Sequence, residues 1–577
     1  MNKQAVFHQG NRFYAYPLNK ETLQIKLRTG LDVQKVVLHF GDPNDYRATM
    51  TVKNKKGIKN AHLVFKHPFV KFIVSESPMT WSWNRMNKLM TLMNTSSDYH
   101  YFICDVKPKN YRCKYYFEIL TEEESIFFGE NGFYQDDSEL NIWSTFYYPF
   151  IHEKEVHQAP SWVKETVWCQ LFVERFSNGD PSNDPQNVKN WDDMPVTSHS
   201  FYGGDLRGII NNLTMLRSMG FTGLYLTPIF ESPSNHKYNT TDYFKIDPNF
   251  GTAEDLKELV TKAHDLGMKI MLDAVFNHSG DTWAPFLDVI EKKQESNYVD
   301  WFYFNSFEPL SYQTFANTKR MPKLNTSNES LQEYLLSILE YYLKEFKIDG
   351  WRFDVANELD HDFIRLVNKR LRKSFPECYL LGELWHDKSD WVTYDQFDAQ
   401  MDYKITNNFI EFSLGNLRAT ELVDRLCEYY FVTPNPIQLS SFHLLDSHDT
   451  PRLLTKVNED PKKALLALSL SLLLSGSYCL FYGTEYLLSG KMDPHCRVPY
   501  PLNPSTQQFT YKEKVVEMLK TRYLHLDSLQ TIPKVEAVDD LFVMTFGDEL
   551  MVVANNTTTT KHYRNQSIQP LEMIIIE

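Results

Sequence analysis

Residues 349–358 read DGWRFDVANE, and this stretch decides the architecture of the chain. Its short apolar run is typical of a buried strand, and the run ends in a cation and a carboxylate two residues apart. Side chains at i and i+2 of a strand point to the same face, so Arg352 and Asp354 are expected to lie side by side. An adjacent guanidinium favours the ionised carboxylate and fixes its orientation, which suits Asp354 to act as a nucleophile.

Two more acids follow apolar runs elsewhere in the chain. Glu383 lies in GELWH (residues 382–386) and Asp449 lies in LDSHDT (445–450), while DAVFNH (273–278) ends a third run. A single carboxylate at a strand end is more often a helix N-cap or an ion-pair partner than a catalytic group. Several acids gathered at the ends of neighbouring strands favour the catalytic interpretation, because burying like charges together is costly unless function requires it.

Strands and helices alternate from about residue 126 onwards. Apolar spacing predicts strands at 167–172, 223–227, 269–276, around 351, 379–382, near 401–405, 440–445 and 478–482. Such alternation implies a parallel sheet, and eight units imply a closed barrel. We therefore predict an α/β fold, a (β/α)8 TIM barrel over residues 126–529, with its active site on the carboxyl-terminal rim. The interval 279–328 is too long for a simple connection and predicts a small subdomain inserted after the third strand.

The segments on either side of the barrel indicate β structure. In residues 1–125, Leu23, Ile25 and Leu27 alternate with polar residues, and further strand patterns at 36–40, 61–65, 99–106 and 115–120 alternate with turn signals. We therefore predict an N-terminal β-sandwich for residues 1–125. Residues 530–577 contain two short β-like runs, which predict a small C-terminal β domain.

Composition excludes several classes of partner. The net charge of −14 argues against a nucleic-acid partner and against an anionic membrane surface. The seven cysteines are scattered without metal-ligand spacing, which favours reduced thiols in a cytoplasmic protein. The most apolar run, residues 464–474, is too short to span a bilayer and predicts a buried helix. We expect no membrane and no nucleic-acid partner.

The two central acids have different predicted surroundings. Asp354 has Arg352 beside it and is expected to stay ionised. Glu383 has two other acids nearby and is expected to hold a proton at neutral pH. An ionised carboxylate and a protonated carboxyl form the pair that glycoside hydrolysis requires.

The motifs together resemble a known family. Four of them resemble the ordered signature regions of glycoside hydrolase family 13, the α-amylase family, and they lie at residues 273–278, 350–358, 382–386 and 445–450. MPKLN, VANE and HKYNT resemble signatures of the neopullulanase, cyclomaltodextrinase and maltogenic amylase subgroup, and they lie at residues 321–325, 355–358 and 236–240. The N-terminal domain is similar to the starch-binding-type domain of this subgroup.

This resemblance implies roles for the matching residues. Asp354 would form the glycosyl-enzyme, Glu383 would act as acid and base, and Asp449 would hold hydroxyls of the distorted sugar. Asp273 would brace Arg352. Substrate contacts would come from Tyr238, His278, Arg352, Asn357, Glu358, Trp385 and His448, with Asn357 and Glu358 on the acceptor side. The resemblance implies no catalytic metal and no organic cofactor.

The loop NGDPSND at residues 178–184 allows two interpretations. By composition it is first of all a turn. It also offers hard oxygen ligands at the close spacing that Ca²⁺ takes. In the subgroup a similar loop binds calcium together with a Gly and an Asp. The resemblance therefore implies a structural calcium site formed by Asn178, Asp180, Asn183, Asp184, Gly203 and Asp205.

The resemblance implies a cytoplasmic retaining α-glucan hydrolase. It would cleave α-1,4-glucosidic bonds of cyclodextrins, maltooligosaccharides and, as further candidates, pullulan and starch, releasing mainly maltose and transferring glycosyl groups. The alternatives are an α-1,6-glucosidase or trehalose-acting relative and a non-catalytic glucan-binding protein. Family analogy implies a homodimer through the N-terminal domain. Thr484 and Asn239 stand where the family usually has Asp, so the fine specificity stays open.

Overall fold

A computed structural model describes most of the chain. The described residues are 1–54, 57–63, 79–141, 143–386 and 390–576. Contacts divide the chain into two compact units. The first contains residues 1–156, 423–435 and 534–536, and the second contains residues 157–422, 436–533 and 537–577. Among the described residues, no helix is both long enough and apolar enough to cross a bilayer.

The N-terminal part of the first unit is built from antiparallel strands. They are Ala15–Pro17, Leu23–Gly30, Lys35–Gly41, Tyr46–Asn54, Gly57–Leu63, Met79–Trp83, Met86–Leu89, Thr91–Thr95, Tyr99–Val106, Cys113–Leu120, Ser125–Gly129, Gly132–Tyr134 and Phe146–Tyr148. Leu23, Ile25 and Leu27 are fully buried in the core between them, as their alternation predicts. The sequence prediction of β structure in this region is confirmed, although the end of the predicted strand 61–65 lies outside the described residues.

The first unit also contains the end of a helix, within residues 423–435. Lys26 is fully buried, and its Nζ donates to the carbonyl oxygens of Tyr430, Phe431 and Thr433 at 2.8, 3.2 and 3.0 Å. Burial lowers the pKa of Lys26 to about 7. Its amino group thus satisfies carbonyl oxygens at the end of that helix, which have no partner within the helix itself.

Eight parallel strands form a barrel in the second unit. They are β1 (Val167–Leu171), β2 (Gly223–Leu226), β3 (Lys269–Ala274), β4 (Gly350–Phe353), β5 (Tyr379–Gly382), β6 (Ala399–Gln400), β7 (Phe442–Leu444) and β8 (Ser477–Phe481). Each strand pairs with its neighbour in order, β8 pairs with β1, and a parallel bridge from Met401 to Phe442 closes the ring. The predicted barrel is confirmed.

The sixth strand differs from its prediction near residues 401–405. It comprises only Ala399–Gln400, and Tyr403–Leu414 is a helix. Ile405, Phe409 and Phe412 are buried at helical spacing along it. A strand of two residues is too short to leave an alternation in the sequence, so the prediction was wrong by several positions.

Helices follow the strands of the barrel and also lie in its connections. Those described are α1 (Leu206–Met219), α2 (Ala253–Asp265), α3 (Ala284–Lys292), α4 (Glu329–Glu345), α5 (His361–Ser374), α6 (Tyr403–Leu414), α7 (Ala419–Val432), α8 (Asn435–Ser440), α9 (Leu453–Lys456), α10 (Pro461–Ser471), α11 (Thr506–Leu524) and α12 (Leu526–Leu529). Gly220 ends α1 at φ +106°, a conformation that glycine adopts without strain. Thr252 and Asp255 form a capping box at the start of α2.

The long connection between β3 and β4 contains its own elements. Helix α3 is followed by a hairpin of Phe304–Phe307 and Leu310–Tyr312. The chain then returns to the barrel rim, where Ser279 N donates to Pro322 O at 3.1 Å and Leu324 N to Asn277 O at 3.0 Å. The connection is thus pinned beside the end of β3.

The end of the chain forms a small sheet. Leu541–Phe546, Leu550–Asn555 and Glu572–Ile576 pair antiparallel, beside a hairpin of Lys561–Tyr563 and Gln566–Ile568. A short strand, Lys534–Val538, precedes them. The β-like runs predicted here are confirmed.

Candidate active site

Arg352 organises the floor of the site. It is fully buried, and its Nη1 donates to Asp273 Oδ1 and Asp354 Oδ1, each at 2.8 Å. The register of the barrel explains this arrangement, because Asp273 on β3 pairs with Arg352 on β4. Asp354 follows β4 directly, on the same face as Arg352. The predicted adjacency of Arg352 and Asp354 is confirmed, and Asp273 does brace the guanidinium.

The same guanidinium also contacts Glu383. Arg352 Nη2 lies 2.9 Å from Glu383 Oε1, in an ion pair whose atoms are close but not aligned as a hydrogen bond. Phe353 pairs with Gly382 across β4 and β5, so Asp354 and Glu383 leave their strands at the same level. One buried cation therefore serves three carboxylates, rather than Asp354 alone.

The pKa of Asp354 differs from what a single neighbouring guanidinium would give. Burial raises the pKa of Asp354 well above its ordinary value. Arg352 opposes that shift, whereas the charges of Glu383, Asp273 and Asp449 add to it. Burial likewise raises the pKa of Asp273 to about 6. The expectation that Arg352 keeps Asp354 readily ionised is therefore not supported in the free protein. The predicted mechanism still requires Asp354 to be ionised and Glu383 to be protonated when the substrate reacts.

Glu383 is held by donors from both sides. Val355 N donates to Glu383 Oε2 at 2.9 Å, and Trp385 Nε1 donates to Glu383 Oε1 at 3.2 Å. Val355 adopts φ +44°, a left-handed conformation that is strained for a β-branched residue. Trp385 is 41% exposed and stacks on Tyr403 with ring centroids 4.3 Å apart. The strained turn after β4 thus fixes the acid carried by β5.

A second network surrounds Asp449. Arg497 Nη2 lies 2.9 Å from Asp449 Oδ1, and His448 Nε2 lies 3.0 Å from Asp449 Oδ2. Gln170 Nε2 donates to His448 Nδ1 at 2.7 Å, which places the imidazole proton on Nε2. Burial lowers the pKa of His448 well below its ordinary value, so the ring is neutral. Asp449 is thereby oriented by one cation and one neutral imidazole.

Tyr238 and His278 complete the wall beside Asp273. The hydroxyl of Tyr238 donates to Asp273 Oδ2 at 2.9 Å, and His278 Nε2 donates to Tyr238 O at 3.0 Å. Burial lowers the pKa of His278 to about 3, so it is neutral. The rings of Tyr238 and His448 lie parallel with centroids 5.4 Å apart. The contacts of Tyr238, His278 and His448 with a sugar remain predictions.

The acids open into one cleft of about 450 Å³. Its lining includes His236, Tyr238, His278, Phe315, Met321, Asp354, Val355, Asn357, Glu383, Trp385, Asp449, Asp493 and Arg497. All three predicted catalytic acids are therefore brought together with four of the predicted substrate contacts. Arg352 and His448 lie buried beneath the surface, and Glu358 lies outside the lining.

Sequence reasoning missed Asp493 and Arg497 as site residues. Arg497 Nη1 lies 3.0 Å from Asp493 Oδ1, and its Nε donates to His448 O at 2.8 Å. A signal for them existed, because both follow β8 as the other site residues follow their strands. Gln170, in β1, had no such signal.

The loop at 178–184 brings hard oxygens together. Asn178 Nδ2 donates to Asp184 Oδ1 at 2.7 Å, and a Cβ added to Gly203 would lie 2.3 Å from that same Oδ1. In the part of the chain that the structure describes, the buried Oδ1 atoms of Asn178 and Asn183 have no hydrogen-bond partner. Two orphaned amide oxygens beside a carboxylate fit the ligand chemistry of Ca²⁺.

Two members of the predicted calcium set are engaged elsewhere. Asp205 caps α1 by accepting from Gly208 N at 2.6 Å, and its other oxygen accepts from Asp180 N at 2.9 Å. Asp180 accepts from Ser182 N at 3.0 Å. Among the described residues, no three Asp, Glu, His or Cys side chains are grouped to hold a metal. A calcium ion in this loop would therefore take the amide oxygens of Asn178 and Asn183 together with Asp184.

Comparisons with known proteins agree with this geometry. The family model "Alpha amylase, catalytic domain" matches residues 170–523, and "Alpha amylase, N-terminal ig-like domain" matches residues 1–68 and 69–152. A cyclomaltodextrinase of Geobacillus thermopakistaniensis (strain MAS1) is 38% identical over 570 residues, 96% of this chain and 91% of that protein. An intracellular maltogenic amylase of Bacillus subtilis (strain 168) is 39% identical over 503 residues, 86% of this chain and 80% of that protein.

A solved structure of a cyclomaltodextrinase has a TM-score of 0.83 and 34% identity, covering 97% of this chain and 92% of that one. The matched regions include the barrel, the three acids on its rim and the N-terminal domain. The chain therefore belongs to glycoside hydrolase family 13, the α-amylase family, in the subgroup of cyclomaltodextrinases, maltogenic amylases and neopullulanases.

Proposed function

We propose that this enzyme is a retaining α-glucan hydrolase that cleaves α-1,4-glucosidic bonds of cyclodextrins and short maltooligosaccharides. The observation that carries the proposal is the pair Asp354 and Glu383, held by one buried Arg352 at the floor of a single cleft. Two carboxyl groups on one guanidinium can divide the roles of nucleophile and acid/base. Maltose is the expected main product, with pullulan and starch as further candidate substrates.

The reaction proceeds in two steps. In the first, Asp354 attacks the anomeric carbon while Glu383 gives its proton to the departing glycosidic oxygen. In the second, Glu383 takes a proton from water, which attacks the same carbon and releases Asp354. Two inversions return the α-anomer. Asp449, oriented by Arg497 and His448, lies where it can accept hydrogen bonds from hydroxyls of the reacting sugar.

The first step requires Asp354 ionised and Glu383 protonated. Burial favours the neutral form of Asp354, so reaching this state costs free energy in the free enzyme. Arg352 reduces that cost through its hydrogen bond to Asp354 Oδ1. The N–H groups of Val355 and Trp385 keep Glu383 facing the cleft.

Two alternatives are weaker. An α-1,6-glucosidase or trehalose-acting relative would use the same acids, but the segment 321–325 carries the subgroup signature and places Met321 in the cleft wall. A non-catalytic glucan-binding protein has no need for three buried or half-buried acids at one cleft. The relatives named cyclomaltodextrinase and intracellular maltogenic amylase favour the first proposal.

Four further properties belong to the proposal. The enzyme is expected to be cytoplasmic. It is also expected to form a homodimer through its N-terminal domain, and chromatography with light scattering would test for the dimer. It is expected to transfer glycosyl groups as a side reaction. A structural Ca²⁺ would be held by Asn178, Asn183, Asp184 and the Gly203 carbonyl, and would neutralise charge within that loop.

The substrate class is tested by initial rates on β-cyclodextrin, soluble starch and pullulan at equal mass, with chromatography of the products. Faster turnover of cyclodextrin with maltose as the end product would support the proposal. Faster turnover of starch would contradict the preference for small substrates, while leaving the three acids in place. An Asp354→Asn variant serves as the inactive control.

A further inference from the structure

Lys323 lies on the arm of the β3–β4 connection that returns to the barrel rim. The backbone fixes its position, because residue 323 forms an antiparallel bridge with His278. The flanking hydrogen bonds join Pro322 to Ser279 and Leu324 to Asn277. Lys323 is therefore held opposite a residue of the cleft wall, although it does not line the cleft itself.

The side chain of Lys323 joins two different loops. Its Nζ donates to Asn277 Oδ1, after β3, and to the carbonyl oxygen of Glu358, after β4, the latter at 2.9 Å. It also lies 3.6 Å from Glu358 Oε2, and the side chain is only 16% exposed. The ammonium thus uses two of its three donors in hydrogen bonds to these two loops. The turn 356–358 is therefore tied to the end of β3 by one half-buried cation.

That turn forms the leaving-group side of the cleft. Glu383 protonates the departing oxygen, so the leaving group must lie on the Glu383 side of Asp354. Trp385 donates to Glu383, and both Trp385 and Asn357 line the cleft there. Asn357 lies in the turn whose last residue, Glu358, is bound by Lys323. An incoming acceptor sugar occupies the same region after the leaving group departs.

Water and a sugar acceptor compete for the same intermediate. In transfer, the acceptor hydroxyl oxygen bonds to the anomeric carbon, the bond from that carbon to Asp354 breaks, and the hydroxyl proton passes to Glu383. Hydrolysis makes and breaks the same bonds with water as the nucleophile. The ratio of the two therefore depends on how well the cleft wall holds the acceptor.

We propose that Lys323 is a positioning residue that holds the 356–358 turn in place for the acceptor and thereby sets the ratio of transfer to hydrolysis. The inference rests on the proposed hydrolase function. A tether that serves stability alone is the plain alternative, because hydrogen bonds and ion pairs of this kind often have only a structural role. The two roles differ in what a variant changes: stability in one case, and the fate of the glycosyl-enzyme in the other.

The test compares Lys323→Met with Lys323→Arg and with Lys319→Met, an exposed lysine of the same connection. The donor is p-nitrophenyl α-maltoside and the acceptor is glucose. Nitrophenol release measures glycosyl-enzyme formation, chromatography measures transfer against hydrolysis, and calorimetry measures Tm. Loss of about one hydrogen bond to the turn predicts an acceptor KM about fivefold higher and a transfer ratio about fivefold lower in Lys323→Met.

Lys323→Arg, which keeps the charge and its donors, is expected to restore the ratio to within about twofold of wild type. Lys319→Met is expected to match wild type in every readout. A Lys323→Met variant with an unchanged ratio would overturn the inference, whether or not its Tm falls. A wild-type enzyme that releases no nitrophenol would instead overturn the hydrolase function itself.

Discussion

Replacing Asp354 by Asn is expected to abolish catalysis and to stabilise the protein at neutral pH. Asp354 lies with Asp273, Glu383 and Arg352, a group of three carboxylates and one guanidinium with a summed charge of −2 when all are ionised. Asparagine has the same shape, and its Oδ1 can still accept from Arg352 Nη1. The substitution therefore removes a charge that burial opposes, while keeping the hydrogen bond.

The sign of the effect follows from the raised pKa of Asp354. Its folded-state pKa lies above its unfolded value, so the carboxyl costs no stability well below pH 4, where it is protonated in both states. The cost grows as pH rises towards the folded-state pKa. Removing buried charge without loss of packing is ordinarily worth about 1–4 kcal/mol, so Asp354→Asn is expected to gain about 1 kcal/mol or more at pH 7.5.

Scanning calorimetry of wild type and Asp354→Asn at pH 4.5, 6.0 and 7.5, at one fixed scan rate, measures this difference. The gain should raise Tm by about 2 °C at pH 7.5 and shrink towards pH 4.5. Asp192→Asn, at an exposed position, controls for the change of residue type. A lower Tm for Asp354→Asn at pH 7.5, or a difference independent of pH, would refute the reasoning. Hydrolysis should fall by about 10⁴-fold or more.

Three other predictions concern the site and the loop. In the pH profile of kcat/KM on p-nitrophenyl α-maltoside, the midpoint of the acidic limb should lie above the ordinary pKa of Asp, because Asp354 must ionise to attack. A midpoint below about pH 4 would contradict this. Arg497→Met should lower kcat/KM by about 100-fold because Asp449 loses its cation, and activity within about threefold of wild type would count against that role. Chelation with EDTA should lower Tm, and added Ca²⁺ but not Mg²⁺ should restore it; an unchanged Tm would argue against the calcium site.

Much of the barrel could be predicted because its signals are local. Apolar spacing located seven of the eight strands, and Gly220 and Thr252 marked helix ends as their chemistry requires. The sixth strand was misplaced because two residues leave no periodicity and the following helix supplies the apolar positions. Local pattern is informative only where an element is long enough to repeat it.

The contacts within the site were harder to predict because they depend on register between strands. Side chains two residues apart in a strand share a face, which placed Arg352 beside Asp354. The contact of Arg352 with Glu383 arises instead from the pairing of Phe353 with Gly382. No residue pattern within one segment reveals that pairing. The expectation that Asp354 stays ionised beside Arg352 left out the burial of Asp354 and the charge of Glu383, both of which raise the pKa of Asp354.

The 178–184 loop shows a different limit. Composition suggested Asp180 as a calcium ligand and the family resemblance added Asp205, yet Asp205 caps α1 and Asp180 accepts from Ser182. Both positions also match N-cap patterns, and an Asp directly before an apolar helix is ordinarily a cap. The orphaned oxygens of Asn178 and Asn183 emerge only from the folded loop.

The most direct test of the mechanism is to trap the intermediate on Asp354. Glu383→Gln, supplied with α-maltosyl fluoride, can still form the glycosyl-enzyme because fluoride leaves without protonation, but it lacks the base that activates water. Intact-protein mass spectrometry should then show one added maltosyl unit, and peptide mapping should place it on Asp354. An adduct on another residue, or β-maltose released without an adduct, would contradict the account.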